Sequence, residues 1–204
     1  LWIQKEQKLV TDLALAASPA ISRSCLIKND DIRLDVRDDL TIASIASGRN
    51  KGALLNAAIL GAYGVELPTL PQRVVGAGGL ELIWNGPHQW LMIAPRGHGR
   101  DLEQELLPVV AGLGAVTDQS DARVIVRVSG RRARELLAKG VTINLEPSAF
   151  SKNAVAITYA FNIGVVLCQH DATPTYDLAV FRSFADCLAR RLRHSAEEWD
   201  LVPA

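Results

Sequence analysis

Apolar and charged positions alternate from Ile32 to Val36, which is the pattern of a half-buried strand. Leu40 to Ala46 reads as a second strand, with Ser47-Gly48 as a turn. The pattern then changes period. Lys51 to Ala62 carries Ala53, Leu54, Leu55, Ala57, Ala58, Ile59 and Leu60, which predicts a helix that is apolar nearly all round and buried on several sides. Asn50 is placed to cap it and Gly64 to end it. Two prolines make Val65 to Pro71 extended or turned. Leu80 to Trp84 and Gln89 to Ile93 flank Asn85-Gly86-Pro87-His88, a hairpin with its turn residues in place. Arg100 to Leu107 is a helix with Leu102 and Leu106 inward. Pro108 either ends it or begins a second turn. Ala115 to Thr117 is a short strand.

The stretch from Asp121 to Gly140 is the centre of the chain. Arg123 to Val128 is a β-branched strand, Ser129-Gly130 a turn with a capping hydroxyl, and Ala133, Leu136 and Leu137 a helical stripe that Gly140 stops. A loop over Pro147 to Asn153 leads to strands at Ala154–Phe161 and Ile163–Gln169, and a further strand spans Tyr176–Phe181. Ser183 is placed to cap a last helix whose stripe is Phe184, Cys187, Leu188, Leu192, Ser195 and Trp199. Strand, helix, strand pair and helix thus occur twice, over about 41–112 and 122–198. The order predicts an α+β fold of two split βαβ (ferredoxin-like) halves. Residues 31–204 form a single domain, and residues 1–30 an N-terminal arm or leader.

Lys plus Arg and Asp plus Glu number 22 each, so net charge offers no pull toward nucleic acid or an anionic membrane. A hydrophobic fraction of 49% suffices for a substantial core. Cys25, Cys168 and Cys187 are too few and too scattered for a disulfide framework or a zinc site, and they fit free thiols in a reducing compartment, the cytoplasm. Leu13 to Ala17 is too short for a signal peptide and follows acidic Glu6 and Asp12.

The candidate chemistry is thin. Gly76, Gly78 and Gly79 are followed by a strand, not by the helix that a dinucleotide loop needs, so they read as loop. His88 and His98 have no carboxylate or thiol at metal-ligand spacing. His170 and Asp171 are neighbours on a strand, which turns them to opposite faces. Cys168 reads as core, and Trp84 and Trp90 as packing residues on one side of the hairpin. Arg190, Arg191 and Arg193 read as a solvated face that suits a helix C-terminus or, alternatively, as a patch for an acidic surface on a partner subunit. Arg131, Arg132 and Arg134 are harder to place. They stand at the dipole-positive start of the central helix, which motivates a contact with a carboxylate or phosphate elsewhere. No residue is assigned a catalytic, cofactor-binding or metal-binding role.

Three segments in order carry a resemblance. NGPHQWLMIAP (Asn85 to Pro95), VTDQSDARVIVRVSGRRARELLAKG (Val116 to Gly140) and TPTYDLAVFRSFADCLARRL (Thr173 to Leu192) resemble the gamma subunit of heterotetrameric sarcosine oxidase, as do Leu67-Pro68 and Pro71. The resemblance spans roughly residues 50–195 and implies an aminomethyltransferase-like, folate-binding-like fold. It implies a non-catalytic subunit of a complex that demethylates sarcosine, or a related N-methyl amino acid, to glycine. FAD, FMN, NAD and tetrahydrofolate are then expected on the alpha and beta partner subunits and zinc on the delta subunit. The alpha subunit is expected to be the direct contact, with Arg131, Arg132 and Arg134 as possible interface residues. One departure is His88-Gln89, where relatives carry acidic residues; it argues against a folate or amine contact through that turn. Two other readings stay open: a stand-alone folate-binding aminomethyltransferase-like protein, and a scaffold protein outside one-carbon metabolism.

Overall fold

A computed structural model describes residues 18–199 apart from Asp30, His98 and Ala172. Eleven strands form two antiparallel sheets among these residues. The first sheet is built from β3 (Leu40–Ser47), β4 (Arg73–Val75), β5 (Glu81–Trp84), β6 (Gln89–Pro95) and β7 (Gly114–Asp118), in the order β4-β5-β6-β3-β7. The second uses β1 (Ile27–Lys28), β2 (Arg33–Val36), β8 (Arg123–Ser129), β9 (Val155–Ala160), β10 (Ile163–Asp171) and β11 (Thr175–Phe181), in the order β1-β2-β8-β11-β10-β9.

Helix α1 (Gly52–Tyr63) follows β3 and α2 (Leu102–Val110) follows β6; α3 (Ala133–Ala138) follows β8 and α4 (Arg182–Ala196) follows β11. The strand order β9-β10-β11-β8-β2 therefore matches β4-β5-β6-β3-β7 position by position, helices included. One strand differs in origin: β7 follows its own half, whereas β2 reaches its sheet from the N-terminal side of the chain.

Period-two alternation explains the layering. On β8, Val124, Val126 and Val128 face α3 and α4, where Leu136, Leu137, Leu188 and Leu192 are fully buried. On β3 and β6, Ala43, Ile45 and Met92 face Leu55 and Ile59 of α1 and Leu102 and Leu106 of α2. The opposite faces meet each other: Ile42, Ile83, Leu91 and Ile93 of the first sheet pack on Ile125, Val166 and Ala179 of the second. The layers run helix, sheet, sheet, helix.

Several expectations need correction. Helix α1 buries only Leu55 and Ile59; Ala53, Leu54, Ala57 and Leu60 face outward. It lies in an outer layer with a neighbour on one side, so its apolar circumference is not matched by burial. Asn50 does not cap it, having φ 59; Lys51 occupies the cap position without a side-chain bond. Gly64 does end it, in the left-handed conformation. Pro108 lies inside α2, whose cap is Asp101, accepting from the Gln104 amide. Ser183 is already helical because α4 starts as soon as β11 ends. The α4 stripe is also rotated: Ala185, Leu188, Ala189, Leu192 and Ala196 face inward, while Phe184 and Cys187 are exposed.

Ser129 ends β8 and does not cap α3, whose cap position is Arg132 with no side-chain bond. Gly130 has φ 110 there, and a Cβ on it would stand 2.4 Å from the Asp31 carbonyl oxygen, so conformation and space both call for glycine. Part of the N-terminal arm is built into the fold, since Ile21, Cys25 and Ile27 are buried. Residues 1–17 lie outside the described ones. No described helix is long and apolar enough to cross a membrane.

Candidate functional site

A buried polar network lies at the meeting of the two sheets. It begins with strand register. Asp177 on β11 is opposite Cys168 on β10 and Arg127 on β8, so all three side chains share one rung and one face, the face turned to the first sheet. Asp177 accepts from Arg127 Nε at 2.7 Å and Nη2 at 2.8 Å. A shift in the β10–β11 register between Gln169 and Asp171 brings in His170, whose Nε2 stands 2.7 Å from Asp177 Oδ2.

The first sheet contributes Arg73 of β4 and Glu81 of β5. Arg73 Nη1 donates to Glu81 Oε1 at 2.9 Å and meets His170 Nδ1 at 2.6 Å. Its Nε and Nη2 also donate to Asn153 Oδ1, at 3.2 and 2.9 Å. An arginine only donates, so Nδ1 accepts and Nε2–H donates to Asp177. The imidazole thereby bridges the Arg73 guanidinium of the first sheet and the Asp177 carboxylate of the second. Backbone bonds hold the same seam: Arg73 N to Asn153 O at 2.8 Å and Val155 N to Pro71 O at 3.0 Å.

The charges close on themselves. Arg73 faces Glu81 and Arg127 faces Asp177. Burial alone raises the Asp177 pKa, but the hydrogen bonds from Arg127 and His170 overcome it and hold the carboxyl down at about 2. Such a carboxylate is a poor proton acceptor at neutral pH. Burial pushes the Cys168 thiol up, so it stays protonated and unreactive. A cavity of about 160 Å³ adjoins the network, with Arg127, Asp177 and Cys168 in its lining. That is room for about five water molecules, and less than the 300 Å³ or so at which small-molecule sites begin. The arrangement clamps two sheets together and presents neither a nucleophile nor a poised base.

The three arginines singled out from the sequence each have a partner within the chain. Arg131 pairs with Asp31 at 2.6 Å, Arg132 with Glu135 at 2.9 Å, and Arg134 Nε donates to the Tyr176 hydroxyl at 3.3 Å. Arg131 remains the most open, with 78% of its side chain exposed. Gly76, Gly78 and Gly79 lie in and before a short 3₁₀ turn that leads to β5. His88 is an exposed hairpin residue with φ 61, and His98 lies outside the described residues. Trp84 and Trp90 are cross-strand partners; Trp90 is buried and donates to Pro68 O at 2.8 Å. Arg190 pairs with Asp186, and Arg193 donates to Leu26 O. Among the described residues no cluster of three metal-ligating side chains occurs.

Sequence reasoning missed the partnership of His170 with Asp177. In sequence His170 stands beside Asp171, whereas its partner Asp177 arrives across the strand pair. The available signal was the inward charge of Arg127 and Asp177 in otherwise apolar strands.

A model of the family described as "Sarcosine oxidase, gamma subunit family" matches residues 48–198. The chain is 37% identical over 118 residues to the sarcosine oxidase subunit gamma of Arthrobacter sp, a match covering 57% of each protein. It is 35% identical over 113 residues to the one from Corynebacterium sp. (strain P-1), covering 54% of this chain and 55% of that one. The chain thus spans just over half the length of the curated relatives it matches. In fold it is similar to a chain of the heterotetrameric sarcosine oxidase from Corynebacterium sp. U-96 solved with pyrrole 2-carboxylate. The TM-score is 0.76 at 21% identity, over 89% of this chain and 92% of that one. It is also similar to the glycine cleavage system aminomethyltransferase T of Bartonella henselae, with a TM-score of 0.61 at 15% identity, over 83% of this chain and 46% of that one.

Proposed function

Because the chain belongs to the sarcosine oxidase gamma subunit family, we propose that it is the gamma subunit of a heterotetrameric sarcosine oxidase-type complex in the cytoplasm. Its role is assembly. The complex demethylates sarcosine, or a related N-methyl amino acid, to glycine, and this chain supplies no catalytic group. The observation that carries the reading is the family match over residues 48–198. The closed charge network supports it, because its ionised groups are spent on one another.

On this reading the alpha, beta and delta subunits are the partners. FAD, FMN, NAD, tetrahydrofolate and zinc belong to them. The alpha subunit is the direct contact. Arg131, Arg132 and Arg134 are candidates for it, Arg131 foremost because its side chain is the most open of the three. Residues 31–204 act as one unit of two halves, with residues 1–30 as its arm.

The test is to purify the chain alone and with the other three subunits. The chain alone has no flavin absorbance after gel filtration and no sarcosine-dependent peroxide production; the four together have both. A flavin band or oxidase activity in the lone chain defeats the proposal. Tetrahydrofolate binding by the lone chain favours a stand-alone folate-binding protein instead.

A further inference from the structure

The second sheet extends further than the first sheet packed against it. Ile157, Val166, Ala179 and Ile125 form one rung across β9, β10, β11 and β8. Val166, Ala179 and Ile125 are buried between the sheets. One rung further out the cover ends. There Tyr159 is opposite Gly164, and Phe181 is opposite Arg123. Tyr159 is 59% exposed, Phe181 49%, and Ile157 at the sheet edge 54%. Phe184, three residues beyond Phe181 on α4, is 52% exposed.

These side chains border one slot of about 350 Å³. Its floor is Gly164, where a Cβ would meet no heavy atom within 4 Å. The slot contains a single charged residue, Arg123, and no carboxylate. Arg123 lies over the Phe181 ring at 4.4 Å, and its Nε is buried with no hydrogen-bond partner among the described residues. A buried guanidinium nitrogen without an acceptor is costly, and a carboxylate is the natural complement of an arginine. Aromatic and aliphatic side chains around one arginine are what protein interfaces concentrate at their centres. A small-molecule site encloses most of its ligand, whereas the walls of this slot are about half exposed.

We infer that this slot docks a neighbouring subunit of the complex, which lays an apolar side chain over Gly164 and sets a carboxylate against Arg123. The inference rests on the gamma-subunit reading above.

The experiment uses the full chain, alone and co-expressed with the other three subunits. Gly164→Leu fills the slot without removing any contact, and Phe184→Asp places a charge at its wall. Each weakens assembly at least tenfold, as loss of an interface centre does. The lone variants keep the unfolding temperature of the unmodified chain to within about 2 °C. Raising salt weakens assembly of the unmodified chain but has less effect on Arg123→Met. Unchanged assembly by both variants overturns the inference while leaving the gamma-subunit reading intact. Failure of the unmodified chain to assemble overturns both. A lone chain that dimerises and becomes monomeric in the variants shows a second copy in the slot, which also overturns it. So does a fall of more than about 5 °C in the lone variants with assembly intact, which would mean that the slot is filled by the chain's own residues.

Discussion

Replacing Asp177 with Asn tests the inter-sheet clamp. The carboxylate is buried and takes three donors, Arg127 Nε, Arg127 Nη2 and His170 Nε2. Its pKa falls from the ordinary 3.8 to about 2. At about 1.4 kcal/mol for each tenfold change, that depression corresponds to roughly 2 to 3 kcal/mol of native stability at neutral pH. The sign follows from which state binds the proton first. The unfolded carboxylate protonates near pH 4, the folded one near pH 2. The contribution is therefore complete above about pH 4 and is lost as pH falls through about 2.

Asn offers one acceptor where three donors converge, and its amide nitrogen faces another donor. His170 has little freedom to change tautomer, because Arg73 holds Nδ1. The expected loss is about 2 to 4 kcal/mol at pH 7, from the pKa argument and from the usual cost of breaking a buried pair. The assay is urea unfolding of both proteins at pH 7 and pH 3. The gap between them narrows by about 1 kcal/mol at pH 3, where part of the carboxylate advantage has gone. A gap below about 1 kcal/mol at pH 7, or one that does not change with pH, refutes the reasoning.

Gly130→Ala lowers stability by about 2 kcal/mol or more in the same unfolding assay, because φ 110 and an oxygen 2.4 Å from the new methyl both oppose it. Under native conditions Cys187 reacts with a thiol reagent quickly, whereas Cys25 and Cys168 react only on unfolding; mass spectrometry of the labelled peptides distinguishes them. Arg131→Glu changes the stability of the lone chain by less than about 1 kcal/mol in thermal unfolding, since its pair with Asp31 is largely exposed.

Local signals carried far in this sequence. The alternation in β2, the β-branched run of β8, the hairpin turn between β5 and β6, and Gly64 at the end of α1 are each set by a few neighbouring residues, and each is readable. Strand β4 is not, because three residues give no periodicity and their pairing with β5 is a tertiary fact. Phe184 falls on the predicted stripe because it is large and apolar, but the inward positions of α4 are shared by Leu188 and Leu192 with the small Ala185, Ala189 and Ala196. The outer face of α1 differs from its expectation for a related reason, since composition says how apolar a helix is but not how many neighbours it has. The clamp was the least legible part. Arg73 and His170 are 97 residues apart, and a register shift in β10 brings the histidine into place. Arg131 and Arg134 look unsatisfied in the sequence because Asp31 and Tyr176 come from other parts of the chain, whereas Glu135, the partner of Arg132, is only three residues on.

The most direct test of the assembly role is to co-express the alpha, beta and delta subunits with and without this chain. Complex mass and sarcosine-dependent peroxide production are then measured by light scattering and a coupled peroxidase assay. The account predicts one particle containing all four chains when this one is present, and incomplete assembly with reduced turnover when it is absent. A three-subunit particle with undiminished activity would contradict it.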